Sequence, residues 1–224
     1  MLKPWAEAGY ECHAYDTQNK NEVDSDGIIK HNMNLYVPEI MDEIAKSSKD
    51  VVGIFAFPPC TDLSIAGARW WAKKARENPL FQEEAADRIK DVHKWCEKMR
   101  EENDCFYMIE NPRGSKLNDL WRKYDYSFSP HEYGAYLPED DVHPIWPSRI
   151  PPRDAYFKKT ALWTCKKFVM PSAKAVEAHR IKVGNRYHSP IFTGYTTAKL
   201  RSATPRGFAR AIFESNSQDL RNAT

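Results

Sequence analysis

Cys60 is the first residue whose position suggests chemistry, because it follows an apolar run and two prolines. The run, VVGIFAF at residues 51–57, is rich in β-branched and aromatic residues and predicts a buried strand. Pro58 and Pro59 restrict the backbone of the turn that carries the thiol. A thiol beyond a strand end acts as a nucleophile when a cation or a helix N-terminus lowers its pKa. The alternative is a small buried hydrophobe, which is the interpretation adopted for Cys12, Cys96, Cys105 and Cys165.

A carboxylate follows the next apolar run along the chain. Residues 105–109 (CFYMI) predict a second buried strand, which Glu110, Asn111 and Pro112 are expected to end. A buried carboxylate needs a partner because its desolvation is expensive, and a solvated helix cap is the alternative for Glu110. If two neighbouring strands carry Cys60 and Glu110 to one edge, the pair suits covalent attack on an electron-poor ring whose nitrogen is held by the acid.

The elements that must position these residues alternate between helix and strand. Apolar residues at three- and four-residue spacing predict an amphipathic helix over 82–102, and shorter helices are predicted over 4–8, 38–46 and 208–215. Strands are predicted over 10–15, 51–57, 105–109 and 161–163, and loops over 17–33. This alternation predicts an α/β fold with a mostly parallel sheet and helices on both faces, in which ligands bind beyond the carboxyl ends of the strands.

Composition along the chain predicts three parts: an α/β core over 1–126, a proline-rich insertion over 127–156, and a basic part over 157–224 that returns to the core. The chain carries +2 in total, but residues 157–213 hold twelve Lys or Arg and one acid, so this segment carries +11 and the rest −9. Phe168, Tyr187, Phe192 and Tyr195 are interleaved with these cations, as in surfaces that bind polyanions. The alternative is a solvated face that pairs with the acidic remainder.

Composition also excludes several classes of protein. No apolar run in the 224 residues approaches the roughly 20 needed to cross a bilayer, and no secretory signal is recognised, so a cytoplasmic protein with no membrane partner is expected. Five cysteines without a C-x-x-C pair argue against a disulfide framework or a zinc site. The seven histidines lack metal-ligand spacing, so no metal is expected.

The Pro58-Pro59-Cys60-x-Asp-x-Ser64 segment and the later Glu110-Asn111 pair, in this order, resemble the DNA cytosine-5 methyltransferase family, especially its short phage-type members. The resemblance implies a Rossmann-like methyltransferase sheet in a prokaryotic or phage-infected cell. It implies that Cys60 adds to carbon 6 of a flipped-out cytosine in DNA, and that Glu110 bonds the ring nitrogen and the exocyclic amine. S-adenosylmethionine would then give its methyl group to carbon 5.

The resemblance implies further site residues. Lys159, in the segment before the predicted strand over 161–163, corresponds to a basic residue that contacts the cytosine, and residues 201–209 (RSATPRGFA) resemble the family's terminal segment. The residues expected to contact the DNA substrate are Pro59, Ser64, Arg69, Asn111, Arg113 and Lys158. Trp70 and Trp71 are predicted to pack in the interior, with a stacking surface for bases as the alternative.

For S-adenosylmethionine, the resemblance implies that Asp16 holds the ribose hydroxyls and that Asn34 reaches the adenine. It also implies that Pro58 lies beside the cofactor. The sequence departs from the family in having no G-x-G turn, and its first strand is expected to be missing, since residues 5–16 match the helix and second strand. Three alternatives follow: a truncated or mis-assigned start, a strand supplied from elsewhere or from a second copy in a homo-oligomer, or loss of S-adenosylmethionine binding.

The family's separate target-recognition domain is also expected to be absent, since about 45 residues lie between Lys159 and Thr204. Flipping a base costs least in a single strand, so single-stranded DNA is an expected substrate beside duplex DNA. Two further functions stay open: a catalytically silent protein that binds nucleic acid or another protein, and an enzyme that uses another one-carbon donor.

Overall fold

The computed structural model describes residues 1–192 and 198–217. Two compact units divide the chain. The central unit comprises Cys12–Ser127 and Thr160–Phe168, and the terminal unit comprises Met1–Glu11, Phe128–Lys159 and the described residues from Val169 onward. Each unit is therefore built from segments that are distant in sequence.

Seven helices are present among the described residues: α1 (Lys3–Glu7), α2 (Pro38–Ser47), α3 (Trp71–Glu77), α4 (Phe81–Asn103), α5 (Leu117–Leu120), α6 (Ala198–Arg201) and α7 (Arg206–Asn216). Short 3-10 helices occur at Ile65–Trp70, Pro130–Tyr136, Pro152–Asp154 and Pro190–Phe192. No helix in the described ranges is long and apolar enough to span a bilayer.

Nine strands are described: β1 (His13–Tyr15), β2 (Glu22–Val23), β3 (Ile29–His31), β4 (Gly53–Ala56), β5 (Phe106–Pro112), β6 (Tyr126–Phe128), β7 (Thr160–Thr164), β8 (Ile181–Val183) and β9 (Arg186–His188). They form three sheets, with orders β1-β3-β2, β4-β5-β7-β6 and β8-β9.

The expected mostly parallel, Rossmann-like sheet is wrong. β1 with β3 and β4 with β5 are parallel, whereas β2 with β3, β5 with β7 and β8 with β9 are antiparallel. The reason lies in the connections. α3 and α4 cross over between β4 and β5, as a parallel pair requires. Between β5 and β7 the chain holds only the four-residue α5, short 3-10 helices and β6, and it returns antiparallel.

Elements with a strong hydrophobic period were predicted well. The helix expected over 82–102 is α4, which buries Ala85, Ile89, Cys96 and Met99 on one face. The apolar runs gave β4, β5 and β7, all in the central unit. The loops expected over 17–33 are wrong in part, because β2 and β3 lie there as a short antiparallel pair.

The core of the central unit surrounds β5 and β7. Residues 105–109 and 161–163 are buried, and the indole Nε1 of Trp163 donates to the carbonyl of Arg122 at 2.9 Å. Gly53 of β4 lies against the ring of Phe106, where a Cβ would approach to 2.3 Å. A side chain at position 53 would therefore have to displace the buried ring of Phe106.

In the terminal unit, an ionic cluster holds the start of α7. The guanidinium of Arg206 donates to both carboxylate oxygens of Asp141, at 2.7 and 2.6 Å. Buried Asp154 accepts the backbone N–H of Gly207 at 3.0 Å. Burial raises the pKa of Asp154. Burial also opposes ionisation of Asp141, but the hydrogen bonds from Arg206 and from the backbone of Arg153 outweigh it and lower its pKa.

Candidate active site

The loop that carries Cys60 is a tight turn after β4. The carbonyl of Cys60 accepts the backbone N–H groups of Leu63 and Ser64, at 3.1 and 2.8 Å. Cys60 is half-exposed, whereas the other four cysteines are buried. Cys60 is therefore the thiol that a reagent or a substrate would reach most readily.

Asn111 joins this loop to the neighbouring strand. Its side chain is fully buried, and its Nδ2 donates to the carbonyl of Pro58 at 3.3 Å. The parallel register of β4 and β5, in which Ala56 lies opposite Ile109, places the residues that follow Ala56 beside the end of β5. The loop after β4 and the end of β5 thus share one edge of the sheet.

Two further contacts fix the loop after β4 to the loop after β5. The backbone N–H of Lys116 donates to the carbonyl of Leu63 at 2.8 Å, and Ser64 forms a β-bridge with Ser115. Ser64 is itself buried. Ser64, which the sequence predicts to contact substrate, therefore also has a structural role in joining the two loops.

Glu110 lies within β5 rather than after it. The expectation that the Glu110-Asn111-Pro112 sequence ends the strand is wrong, because on the other side of β5 these residues continue to pair with β7, Glu110 opposite Leu162. Glu110 is half-buried, and its carboxylate Oε1 is buried. A carboxyl group within β5 and a thiol in the loop after the adjacent strand β4 therefore lie in one unit.

Side chains from the following helices hold the Cys60 loop from outside. The carboxylate of Asp62 forms an ion pair with the Nζ of Lys74 in α3, and the side-chain amide of Gln82 in α4 donates to the Asp62 carbonyl at 2.9 Å. Gly67 lies so close to the loop that a Cβ there would be 1.9 Å from the carbonyl oxygen of Thr61. The loop conformation consequently requires glycine at position 67.

An exposed apolar surface adjoins this loop. Phe57, Ile65 and Trp70 are 45%, 73% and 50% exposed. The expected interior packing of Trp70 is therefore wrong. The guanidinium of Arg69 lies 5.1 Å from the centroid of the Trp70 ring. An exposed indole beside a cation has the chemistry that base stacking requires.

Two more predicted DNA contacts, Arg113 and Pro59, are exposed in the same pair of loops. The carbonyl of Arg113 accepts the side-chain amide of Asn118 at 3.2 Å, which shapes the loop after β5. Two segments of the central unit, 58–69 and 110–113, contain eight of the predicted residues: Pro58, Pro59, Cys60, Ser64, Arg69, Glu110, Asn111 and Arg113.

Lys158 and Lys159 belong to the terminal unit. They directly precede β7, which confirms that the basic pair stands before a strand. Lys159 is exposed and Lys158 is half-buried.

The predicted cofactor residues Asp16 and Asn34 lie in the central unit but follow strands of the other sheet. Asp16 comes directly after β1, and Asn34 lies beyond the end of the parallel strand β3. Both are exposed. Asp16 Oδ1 accepts the backbone N–H of Gln18 at 2.7 Å, and Asn34 Oδ1 accepts that of Tyr36 at 3.0 Å. Each side chain thus also stabilises its own turn.

Three cations of the basic segment 157–213 form ion pairs with acidic side chains. Lys167 pairs with Asp104, Arg206 with Asp141, and Arg210 with Glu7 and Glu214. For these three the interpretation as a paired face holds. Of the interleaved aromatic residues, Tyr187 and Phe192 are exposed and Phe168 is buried, whereas Tyr195 lies outside the described residues.

Within residues 1–192 and 198–217, no three His, Cys, Asp or Glu side chains come together in a way that could hold a metal ion. Comparisons with protein-family models, with curated proteins and with solved structures find no match to this chain. Its function must be inferred from the residues themselves.

Proposed function

We propose that this protein is a DNA cytosine-5 methyltransferase-like enzyme that acts through a covalent adduct on Cys60. The observation that carries the proposal is the parallel pairing of β4 with β5. The half-exposed thiol of Cys60 lies in the loop that follows β4, and Glu110 lies in β5, two residues before its end. The resemblance of the Pro-Pro-Cys and Glu-Asn motifs to that family supplies the reaction.

In this mechanism the Cys60 thiolate forms a carbon–sulfur bond to C6 of the cytosine, and the electron pair of the C5–C6 double bond moves toward C5. Protonated Glu110 donates to the ring nitrogen and so stabilises the charge that the addition places on the ring. After C5 has gained its substituent, its hydrogen leaves as a proton to water. The C5–C6 double bond re-forms, and the thiolate departs from C6.

S-adenosylmethionine, when bound, would supply the methyl group. An exposed carboxylate and an exposed amide, Asp16 and Asn34, follow the parallel strands β1 and β3. Their chemistry fits the nucleoside end of that molecule, since a carboxylate accepts hydrogen bonds from ribose hydroxyls and an amide both donates and accepts toward adenine. Pro58 would lie beside the cofactor, as the family resemblance implies.

A second candidate is a catalytically silent protein that binds nucleic acid. It is favoured by the turn-forming hydrogen bonds of Asp16 and Asn34, which give both residues a structural reason to be present without any cofactor. The two candidates differ in what they require of Cys60, since a binding protein does not need a reactive thiol.

The deciding experiment measures 5-methylcytosine by nucleoside mass spectrometry, after the protein is incubated with DNA and S-adenosylmethionine. The wild type is expected to form product. Cys60→Ser is expected to abolish it, and Glu110→Gln to reduce it by about 10² to 10⁴, the usual contribution of a general acid. Cys96→Ser is the matched control, because this cysteine is buried in α4.

Product from Cys60→Ser would refute the nucleophile assignment. A wild type that binds DNA and gives no modified cytosine would favour the silent protein. A modified cytosine of another mass would indicate another one-carbon donor.

A further inference from the structure

We propose that the terminal unit holds a second functional site, a cleft and an adjoining β-hairpin that bind a single strand of nucleic acid through its phosphates. This inference deepens the proposed function, on which it rests for the choice of a nucleic acid as ligand. All of its residues lie in the terminal unit, whereas Cys60 and Glu110 lie in the central unit.

The cleft has a volume of about 1100 Å³, comparable to the sites that hold small organic ligands. Its lining carries four basic side chains and one acid: His131, Arg149, His179, Arg180 and Glu177. Both arginines are charged at any physiological pH. The cleft is therefore positive on balance, and an anion is the ligand that its charge favours.

Phe157 organises the basic side of the cleft. The His131 ring lies 4.4 Å from the Phe157 ring, and the guanidinium of Arg180 lies 4.6 Å from the Phe157 centroid. A guanidinium over a ring face can still donate its N–H groups to phosphate oxygens. Arg180 is exposed, so these groups are accessible.

The hairpin formed by β8 and β9 continues from the cleft, because Arg180 and Ile181 line the cleft and Ile181 begins β8. Its turn contains Gly184 with φ of 59°, a conformation that favours glycine. Every residue of both strands is exposed, Tyr187 by 65%. A two-stranded ribbon with neither face covered is marginal by itself, so a ligand is expected to stabilise it.

The hairpin has the chemistry of a strand-binding surface. Lys182 lies opposite Tyr187, which places a cation and an aromatic ring on one face, and Arg186 lies opposite Val183 on the other. No acidic residue occurs from residue 178 to 213. Cations that contact phosphates, beside a ring on which a base stacks, are how proteins bind single strands without reading their sequence.

The test is fluorescence anisotropy of the full chain with a labelled single-stranded oligonucleotide. Its length of about 16 nucleotides is the upper end of the range that one small single-strand-binding domain, such as an OB fold, covers. The cleft variant is Arg149→Gln/Arg180→Gln, and the hairpin variant is Lys182→Ala/Arg186→Ala. The matched control is Lys94→Ala/Lys98→Ala, which removes two exposed charges from α4. Circular dichroism melts check the fold, and the hairpin variant changes only exposed residues.

Each phosphate contact contributes about 0.7 to the slope of log K against log salt for a single strand. Each double variant is therefore expected to lower the slope by about 1.4 and the affinity about 25-fold at 0.1 M salt. The control is expected to bind as the wild type does, and so is Cys60→Ser. Duplex of the same sequence and free nucleotide are expected to bind more weakly than the single strand.

Cleft and hairpin variants that bind as tightly as the wild type would overturn the inference, as would a wild type that prefers duplex or binds free nucleotide equally well. The two proposals fail separately. Product from Cys60→Ser would refute the nucleophile in the central unit without bearing on the cleft, whereas unchanged binding by the arginine variant would refute the cleft without bearing on Cys60.

Discussion

Gly67→Ala tests whether the shape of the Cys60 loop controls the proposed chemistry. A Cβ at position 67 would stand 1.9 Å from the carbonyl oxygen of Thr61, whereas real Cβ contacts are essentially never shorter than 3.0 Å. The backbone must therefore separate by about 1 Å at least. Because Thr61 is bonded to Cys60, this displacement reaches the thiol directly.

A misplacement of about 1 Å in a reacting group costs about 10²-fold in rate. We therefore expect Gly67→Ala to lower 5-methylcytosine formation by about that factor. Overpacking of this kind also destabilises by about 1 to 3 kcal/mol, which corresponds to a fall in Tm of about 2 to 12 °C for a chain of this size. The fold itself should persist.

Gly114→Ala provides the matched control in the facing loop. A Cβ at position 114 would lie 3.3 Å from Cδ1 of Ile65, the far end of an exposed side chain that can move aside. Its activity and Tm should stay close to those of the wild type. A second readout that does not depend on turnover is alkylation of Cys60 followed by intact-protein mass spectrometry, since its rate reports the exposure of the thiol.

Full activity in Gly67→Ala, or an equal loss in Gly114→Ala, would refute the reasoning. The first result would mean that the loop can relax without moving Cys60. The second would mean that any Cβ in these loops is disruptive, whatever it contacts.

Two further predictions concern stability. Burial, and then the charge of Arg206, lower the pKa of His143 to about 4, and its Nδ1 accepts the backbone N–H groups of Ile145 and Trp146. Since the pKa of His143 in the folded state lies below the ordinary 6.5, its full contribution to the free energy of unfolding is present above pH 6.5, and about 3 kcal/mol is lost as the pH falls from 6.5 through 4. In urea titrations at several pH values, the free energy of unfolding of His143→Asn should depend less on pH than that of the wild type. An equal dependence on pH would contradict this. Buried Asn216 exchanges two hydrogen bonds of 2.8 Å with the backbone of Val169, so Asn216→Ala should lose about 3 kcal/mol in the same titrations, and a loss below about 1 kcal/mol would contradict it.

The sequence predicted the elements that bury one clear stripe or run. α4 was predicted nearly to its ends because its apolar residues recur with the helical period. β4, β5 and β7 were predicted because each is a short apolar run with β-branched or aromatic residues. These elements carry Glu110 and precede Cys60, so the local pattern predicted the two parallel strands β4 and β5 but not that β5 continues past Glu110.

Strand direction could not be predicted in the same way. An apolar run reads alike in a parallel and an antiparallel pair, and the direction depends on the connection that precedes it. The pairing of β5 with β7 also extends β5 through Glu110 to Pro112, although the proline suggested an end. Proline lacks an N–H, but it still offers a carbonyl, and that suffices at the last residue of a strand.

The hairpin and cleft of the terminal unit were missed for different reasons. The hairpin had a local signal, since Gly184-Asn185 between two alternating runs is typical of a two-residue turn. The cleft had none. Its basic residues come from segments around positions 131, 149 and 180, which only the tertiary fold brings together.

The strand order of the four-stranded sheet means that the sheet can be completed only late in synthesis. β7 lies between β5 and β6, yet it is encoded after the whole stretch Phe128–Lys159 of the other unit. When β5 and β6 have left the ribosome, β7, the strand that pairs with both, has not yet been synthesised. One edge of β5 therefore stays unpaired and exposed to solvent until β7 is made. The segment Thr160–Phe168 is the last part of the central unit to be synthesised, and its strand β7 pairs with the part of β5 that holds Glu110.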